Sequence, residues 1–236
     1  MPKELTASHF FEKLEASRSP ENAKNMQRYF KLSVGDEWMG ARMGEVFALA
    51  KEFMGMPVAE IEKLLESPLH EARVGAVSIM DWEARKRKTP AERRKDLFEL
   101  YLRRHDRINN WDLVDRAAIY VVGGYLSDKP REILYQLARS EYMWERRTAM
   151  ISTAYFMRSG DLDDAFRIAE ILLDDEQDLI HKATGWMLRT AGESDRQRLL
   201  AFLDQHAATM PRTTLRYAIE KLDKDLRDHH LKLKRK

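Results

Sequence analysis

The chain of 236 residues contains no cysteine. That excludes a disulfide framework, a thiolate metal site and a cysteine nucleophile, and it fits a reducing compartment. Glycine (10) and proline (7) are scarce for this length, and no stretch alternates apolar and polar residues for the length of a strand. No apolar run approaches the ~20 residues of a membrane span. The opening Met1-Pro2-Lys3-Glu4-Leu5 lacks the basic and apolar regions of a signal peptide, so a soluble, cytoplasmic protein is expected. Net charge is only +2, and overall charge therefore gives no case for a polyanionic partner. The seven histidines show no H-E-x-x-H or comparable spacing. The pair His229-His230 sits in a charged C-terminal stretch and is expected to be exposed. P-loop, G-x-G-x-x-G and G-x-S-x-G motifs are missing too. Nucleotide hydrolysis, dinucleotide cofactors and serine hydrolysis lack support, and neither a metal nor a cofactor is expected.

What remains is rich in helix formers. Hydrophobic residues make up 44% of the chain, enough to bury a core, and 34% is charged. Leu, Ala, Met, Glu, Arg and Lys dominate, which points to an all-α protein. Helix starts are written in the sequence. Ser19-Pro20-Glu21 puts Ser at the cap and Pro at the first helical position. Thr89-Pro90-Ala91-Glu92 reads as Thr capping with Glu three residues on. Helices are expected over 7–18, 20–31, from before Met39 to near Gly55, 57–67, 69–88 and 90–105. Others should run from Asn110, from Asp128-Lys129-Pro130, and over 142–158, 161–174, 177–191, 194–206 and 211–227. Residues 228–236 read as a frayed basic tail.

The helices come in pairs with a period. Arg73, Arg147, Lys182 and Arg216 each stand near the start of a second helix, spaced 74, 35 and 34 residues apart, and Trp111 falls midway across the long gap. A two-helix repeat of about 34 to 37 residues is the signature of an α-solenoid. The expected fold is a single domain over 1–236, a right-handed solenoid of about six HEAT-like repeats with a concave basic face. Arg73, Trp111, Asp115, Arg147, Lys182, Trp186, Arg189 and Arg216 would line that face. Basic residues interleaved with aromatics suit a polyanion.

Each feature also has a plainer explanation. The run Arg85-Lys86-Arg87-Lys88, Arg93-Arg94-Lys95, Arg103-Arg104 and Arg107 is either a phosphate-binding surface or a solvated helix face. Trp38 and Trp82 suit core packing, and Trp144 suits packing between repeats. Trp111 and Asp115 are four apart and share a helix face. An acid beside an indole suits a reaction that builds positive charge on a sugar, but Asp115 could equally serve the first turn of its helix. Asp112 points elsewhere and is the better candidate for capping.

Four segments carry a resemblance: Trp111-Asp112-Leu113-Val114-Asp115, Trp144-Glu145-Arg146-Arg147, Lys182-Ala183-Thr184-Gly185-Trp186-Met187-Leu188-Arg189 and Arg28-Tyr29-Phe30-Lys31. In order and spacing they resemble the W-D-x-V-D, W-x-x-R, K-A-x-G-W-x-L-R and R-Y-x-K motifs of the AlkD-type DNA alkylation repair proteins, which are HEAT-like-repeat DNA glycosylases. The resemblance spans roughly residues 9–222. One segment departs from it: Leu32 to Arg42 lacks the proline of the family's F-x-G-[IV]-x-x-P-x-x-R.

The resemblance implies hydrolysis of the N-glycosidic bond of cationic alkylated purines, 3-methyladenine and 7-methylguanine, in duplex DNA. Asp115 would be the catalytic carboxylate, with Trp111 and Trp186 flanking the deoxyribose. Arg147 would hold the backbone, and Tyr29, Lys31, Lys182 and Arg189 would be further DNA contacts beside Arg73 and Arg216. A monomer is expected, associated with the nucleoid when bound. The alternatives are a catalytically inactive HEAT-like DNA-binding paralogue and a protein–protein scaffold.

Overall fold

The computed structural model describes residues 4–30 and 35–233, apart from the side chain of Tyr29. Among these the chain is helical, with one isolated backbone bridge between Glu37 and Leu69. It divides into two compact units, Met1–Tyr125 and Leu126–Lys236.

The first unit holds α1 (Ala7–Glu15), α2 (Pro20–Tyr29), α3 (Met43–Glu52), α4 (Val58–Glu66), α5 (His70–Arg85), α6 (Ala91–Arg103) and α7 (Trp111–Ala117). Ser19 caps α2 as its sequence predicts, accepting from the Asn22 N–H at 3.4 Å. Thr89 does not cap α6. Its hydroxyl donates to the Glu83 carbonyl at 2.6 Å, and Pro90 takes the cap position. The unit is built around α5, which packs against α3, α4 and α7. All but two residues of α5, Trp82 and Arg85, are buried. Gly75 on it meets the Phe10 ring so closely that a Cβ would stand 2.3 Å from the ring's Cζ.

Two stretches of this unit depart from expectation. The helix expected to include Met39 begins only at Met43. In its place a loop runs through buried Trp38, Met39, Gly40 and Ala41. The buried Glu71 carboxylate accepts from the Met39 and Gly40 N–H groups, at 3.2 and 2.7 Å, bonds that a helix would otherwise have to supply. Gly40 has φ +87°, and a Cβ there would strike the Ser19 carbonyl oxygen, so only glycine fits. The helix begun at Asn110 turns after Ala117 into a π-helical segment, Ala118–Gly123. Such bulges occur often at functional sites.

The second unit holds α8 (Glu132–Leu137), α9 (Met143–Ser152), α10 (Ala154–Met157), α11 (Asp163–Ile171), α12 (Asp178–Ser194), α13 (Arg196–His206), α14 (Arg212–Ala218) and α15 (Lys224–Lys232). The long helix expected over 142–158 breaks at Thr153. The Ser152 and Thr153 hydroxyls donate back to the Thr148 and Met150 carbonyls, at 2.6 and 2.7 Å, which perturbs helix geometry. The core is organised around α12, which packs on α9, α13 and α14. Gly185 permits the closest of these approaches: a Cβ there would lie 2.5 Å from both the Thr214 carbonyl oxygen and the Tyr217 Cβ. Residues 228–232, expected to fray, continue α15 as helix. Among the described residues no helix is long and apolar enough to cross a membrane.

Candidate functional site

The site in the first unit starts from the cap of α7. The Asn110 side-chain oxygen accepts from the Trp111 N–H at 2.8 Å, and Asn110 itself is 1% exposed. Asp112 shares the task, its Oδ1 accepting from the Leu113 N–H at 3.0 Å. Trp111, Asp112 and Asp115 are all half-buried and line one cleft of about 330 Å³. The guanidinium-bearing Arg85 and Arg116 line it as well, and Phe30 and Phe47 add aromatic wall. The cleft therefore combines carboxylates, cations and aromatic faces, a setting for a charged, planar ligand.

Behind the cleft lies a stack of rings. Trp111 stacks on Phe30 at 5.6 Å with 15° between planes, Phe30 on Trp38 at 4.7 Å, and Trp38 on the His70 imidazole at 4.2 Å. His70 is fully buried. Its Nδ1 lies 3.0 Å from Asp36 Oδ2 and its Nε2 2.7 Å from Asp112 Oδ2. Burial pushes the imidazole down, but hydrogen bonds to Asp112 and Asp36 outweigh it, and the net effect raises its pKa. Asp36 is likewise pushed up by burial and brought lower overall by its bonds to His70 and Arg73. Asp112, expected to cap, bonds the first turn of α7 through Oδ1 and with Oδ2 also fixes α7 to α5 through His70.

The cations of the cleft are also held. Arg116 sits over the Phe47 and Trp82 rings, 4.6 and 4.9 Å from their centroids, with Nε donating to Ser78 Oγ at 3.1 Å. Arg85 lies over the Tyr120 ring at 4.0 Å and donates to buried Asp81 at 2.7 Å. Arginines locked against rings lose less side-chain freedom on binding an anion than free ones do.

The remaining expected site residues are distributed as follows. Arg73 requires a correction. It is 1% exposed, with its guanidinium 2.5 Å from Asp36 Oδ1 and donating to Asn109 Oδ1 at 2.9 Å. It neutralises a buried acid and is not on a surface that DNA could reach. Lys31 lies outside the described residues, as does the side chain of Tyr29.

In the second unit, Lys182, Trp186 and Arg189 sit at i, i+4 and i+7 of α12 and share a face. All three are half-buried. Lys182 pairs with Asp178 at 2.8 Å and Arg189 with Glu220. The hydrogen bond to Asp178 raises the Lys182 pKa and lowers that of Asp178. Arg147 is 5% exposed and donates to the Leu179 carbonyl, and Arg216 on α14 is exposed. Trp38 and Trp144 are buried, as core packing requires, and Trp82 is half-buried.

Arg85, Arg116, Phe30 and His70 were not picked out as site residues. Phe30 stood inside a quoted motif. Arg85 stood at the head of the basic run, whereas Arg116 and His70 gave no local signal, because their partners Phe47, Ser78, Asp36 and Asp112 are far away in sequence.

The profile of the DNA alkylation repair enzyme family matches residues 11–222. The chain belongs to that family. Membership makes DNA the implied partner. A solved structure described as a predicted DNA alkylation repair enzyme from Enterococcus faecalis is similar at a TM-score of 0.69 and 19% identity, covering 88% of this chain and 98% of that one. That likeness shows the fold, an all-α, solenoid-like helical repeat, in agreement with the sequence period. No curated protein matches the chain in sequence.

Proposed function

We propose that this family member is a monofunctional DNA glycosylase that hydrolyses the N-glycosidic bond of cationic alkylated purines, 3-methyladenine and 7-methylguanine, in duplex DNA. The observation that carries the reading is the cleft of the first unit, where Asp115 and Trp111 stand together with two ring-packed arginines. A purine already bearing a positive charge leaves without prior protonation, so the chemistry demands no general acid and no cofactor. It demands stabilisation of an oxocarbenium-like sugar and a placed water. Asp115 supplies the negative charge and orients the water. The Trp111 indole face favours the cationic sugar by about 0.5–2 kcal/mol.

Trp186 is assigned as the DNA-facing aromatic of the second unit, with Lys182, Arg189 and Arg216 as phosphate contacts. Arg147 is assigned a backbone contact within the same unit, and Tyr29 and Lys31 are DNA contacts of the first. Arg85 and Arg116, which line the cleft, are assigned as phosphate contacts there. The enzyme acts as a cytoplasmic monomer on chromosomal DNA.

The test is incubation of methylated duplex DNA with the protein, followed by chromatography of the free bases. Release of 3-methyladenine or 7-methylguanine, leaving abasic sites without strand cleavage, is the expected result. Salt-sensitive DNA binding without release would make the chain an inactive DNA-binding paralogue. No DNA binding at all would leave a protein scaffold.

A further inference from the structure

Outside the cleft, among the described residues, one group of carboxylate and imidazole side chains converges at the range of a metal ion. Asp204 of α13 meets His229 and His230 of α15, with one potential ligand atom from each within 4.8 Å of the others. The sequence showed no metal motif because the ligands come from two helices, 25 positions apart, and the histidine pair is adjacent, not at i, i+4.

His230 is the informative member. The expectation that both histidines are exposed fails here: His230 is 1% exposed. Its Nδ1 is buried and without a hydrogen-bond partner. That atom faces Asp204 Oδ1 at 4.0 Å, too far for a hydrogen bond. Buried polar atoms in proteins are almost always satisfied, and an exception calls for an unseen partner.

We propose that Asp204, His229 and His230 form a binding site for a divalent transition-metal ion, Zn²⁺ foremost. Two imidazole nitrogens and one carboxylate oxygen suit such an ion, whereas Ca²⁺ and Mg²⁺ take oxygen ligands. Bonds of about 2.0–2.2 Å in a tetrahedron set ligand atoms about 3.4 Å apart. The present separations close to that value by rotamer changes of Asp204 and His229, which are exposed, around a fixed His230. Water completes the coordination from solvent, on the side where Asp204 and His229 are exposed. The ion pins α15 to α13, reinforcing the bond of 2.7 Å from Arg212 to the Leu231 carbonyl that holds α15 to α14.

The test uses the full chain without an affinity tag, freed of metal, titrated with ZnCl₂ by calorimetry and with CoCl₂ by visible absorption. One ion per chain at micromolar affinity or better is expected, with the intense Co²⁺ bands of a tetrahedral site. Asp204→Asn and His229→Ala, both at exposed positions, should each weaken binding at least about tenfold, since even outer partners of a metal ligand matter that much. Zn²⁺ should raise the melting temperature of the wild type and not that of Asp204→Asn. No stoichiometric binding overturns the proposal. Binding that is unchanged in Asp204→Asn or in His229→Ala also overturns it, by placing the ion elsewhere.

Discussion

His70 Nε2 stands 2.7 Å from Asp112 Oδ2, on an imidazole with no solvent exposure. The other ring nitrogen meets Asp36 at 3.0 Å, and Arg73 reaches the same Asp36 at 2.5 Å. A carboxylate, a guanidinium, an imidazole and a second carboxylate are thus paired inside the first unit, with the Phe30 ring between the imidazole and the indole of Trp111. Removing one member would leave the others buried and uncompensated, which is the costly way to break such a network.

This network makes stability depend on pH with a definite sign. His70 has its folded-state pKa raised above 6.5, so its stabilising contribution is complete below 6.5 and fades as pH rises through the raised value. Asp36 is depressed below 3.8, so its contribution is present above 3.8 and is lost as pH falls through the depressed value. The pairing is strongest between these limits. Thermal melts of the wild type should show the melting temperature declining on the alkaline side of 6.5. His70→Gln should melt lower near pH 6 and lack that decline; an unchanged alkaline slope in the variant would assign it to other groups.

Gly185 stands within the K-A-x-G-W-x-L-R segment for a packing reason. Gly185→Ala would put a methyl group 2.5 Å from the Thr214 carbonyl oxygen and the Tyr217 Cβ. Backbone on one side of the contact cannot rotate away. The substitution should cost about 1–3 kcal/mol of stability, measurable by urea denaturation. A neutral result would show that α14 shifts freely on α12.

DNA binding should follow salt. If Lys182 and Arg216 contact phosphates, Lys182→Ala and Arg216→Ala should each weaken binding to any duplex sequence and reduce the slope of log K against log salt by about 0.9. Arg73→Lys, at a buried position, should instead lower the melting temperature and leave that slope unchanged. Fluorescence anisotropy over a salt series distinguishes the two outcomes.

Much of the fold was legible because its signals are local. Ser19 with Pro20 announced α2, and the spacing of Arg147, Lys182 and Arg216 exposed the repeat. The pairing of Trp111 and Asp115 on one face follows from helical geometry alone. What the sequence hid depends on distant partners. Arg73 has the same place in the period as the other cations, yet Asp36, 37 positions earlier, draws it into the interior. The loop at Trp38 to Ala41 replaces a helix because Glu71, from the next long helix pair, satisfies its N–H groups. Asp112 serves the helix start as its position suggests, bonding the Leu113 N–H, but its second partner, His70, is 42 positions away and gave no local signal. His230 is exposed by composition but buried by the packing of α15.

The central claim is that Asp115 carries the chemistry of base excision. It is tested most directly by the rate of 7-methylguanine release from methylated duplex DNA under single-turnover conditions, for wild type, Asp115→Asn and Asp112→Asn. The predicted result is that Asp115→Asn loses at least about 100-fold in rate, the scale of a lost electrostatic stabiliser, while its DNA affinity is retained. Asp112→Asn should lose stability more than rate. Wild-type release by Asp115→Asn would contradict the assignment.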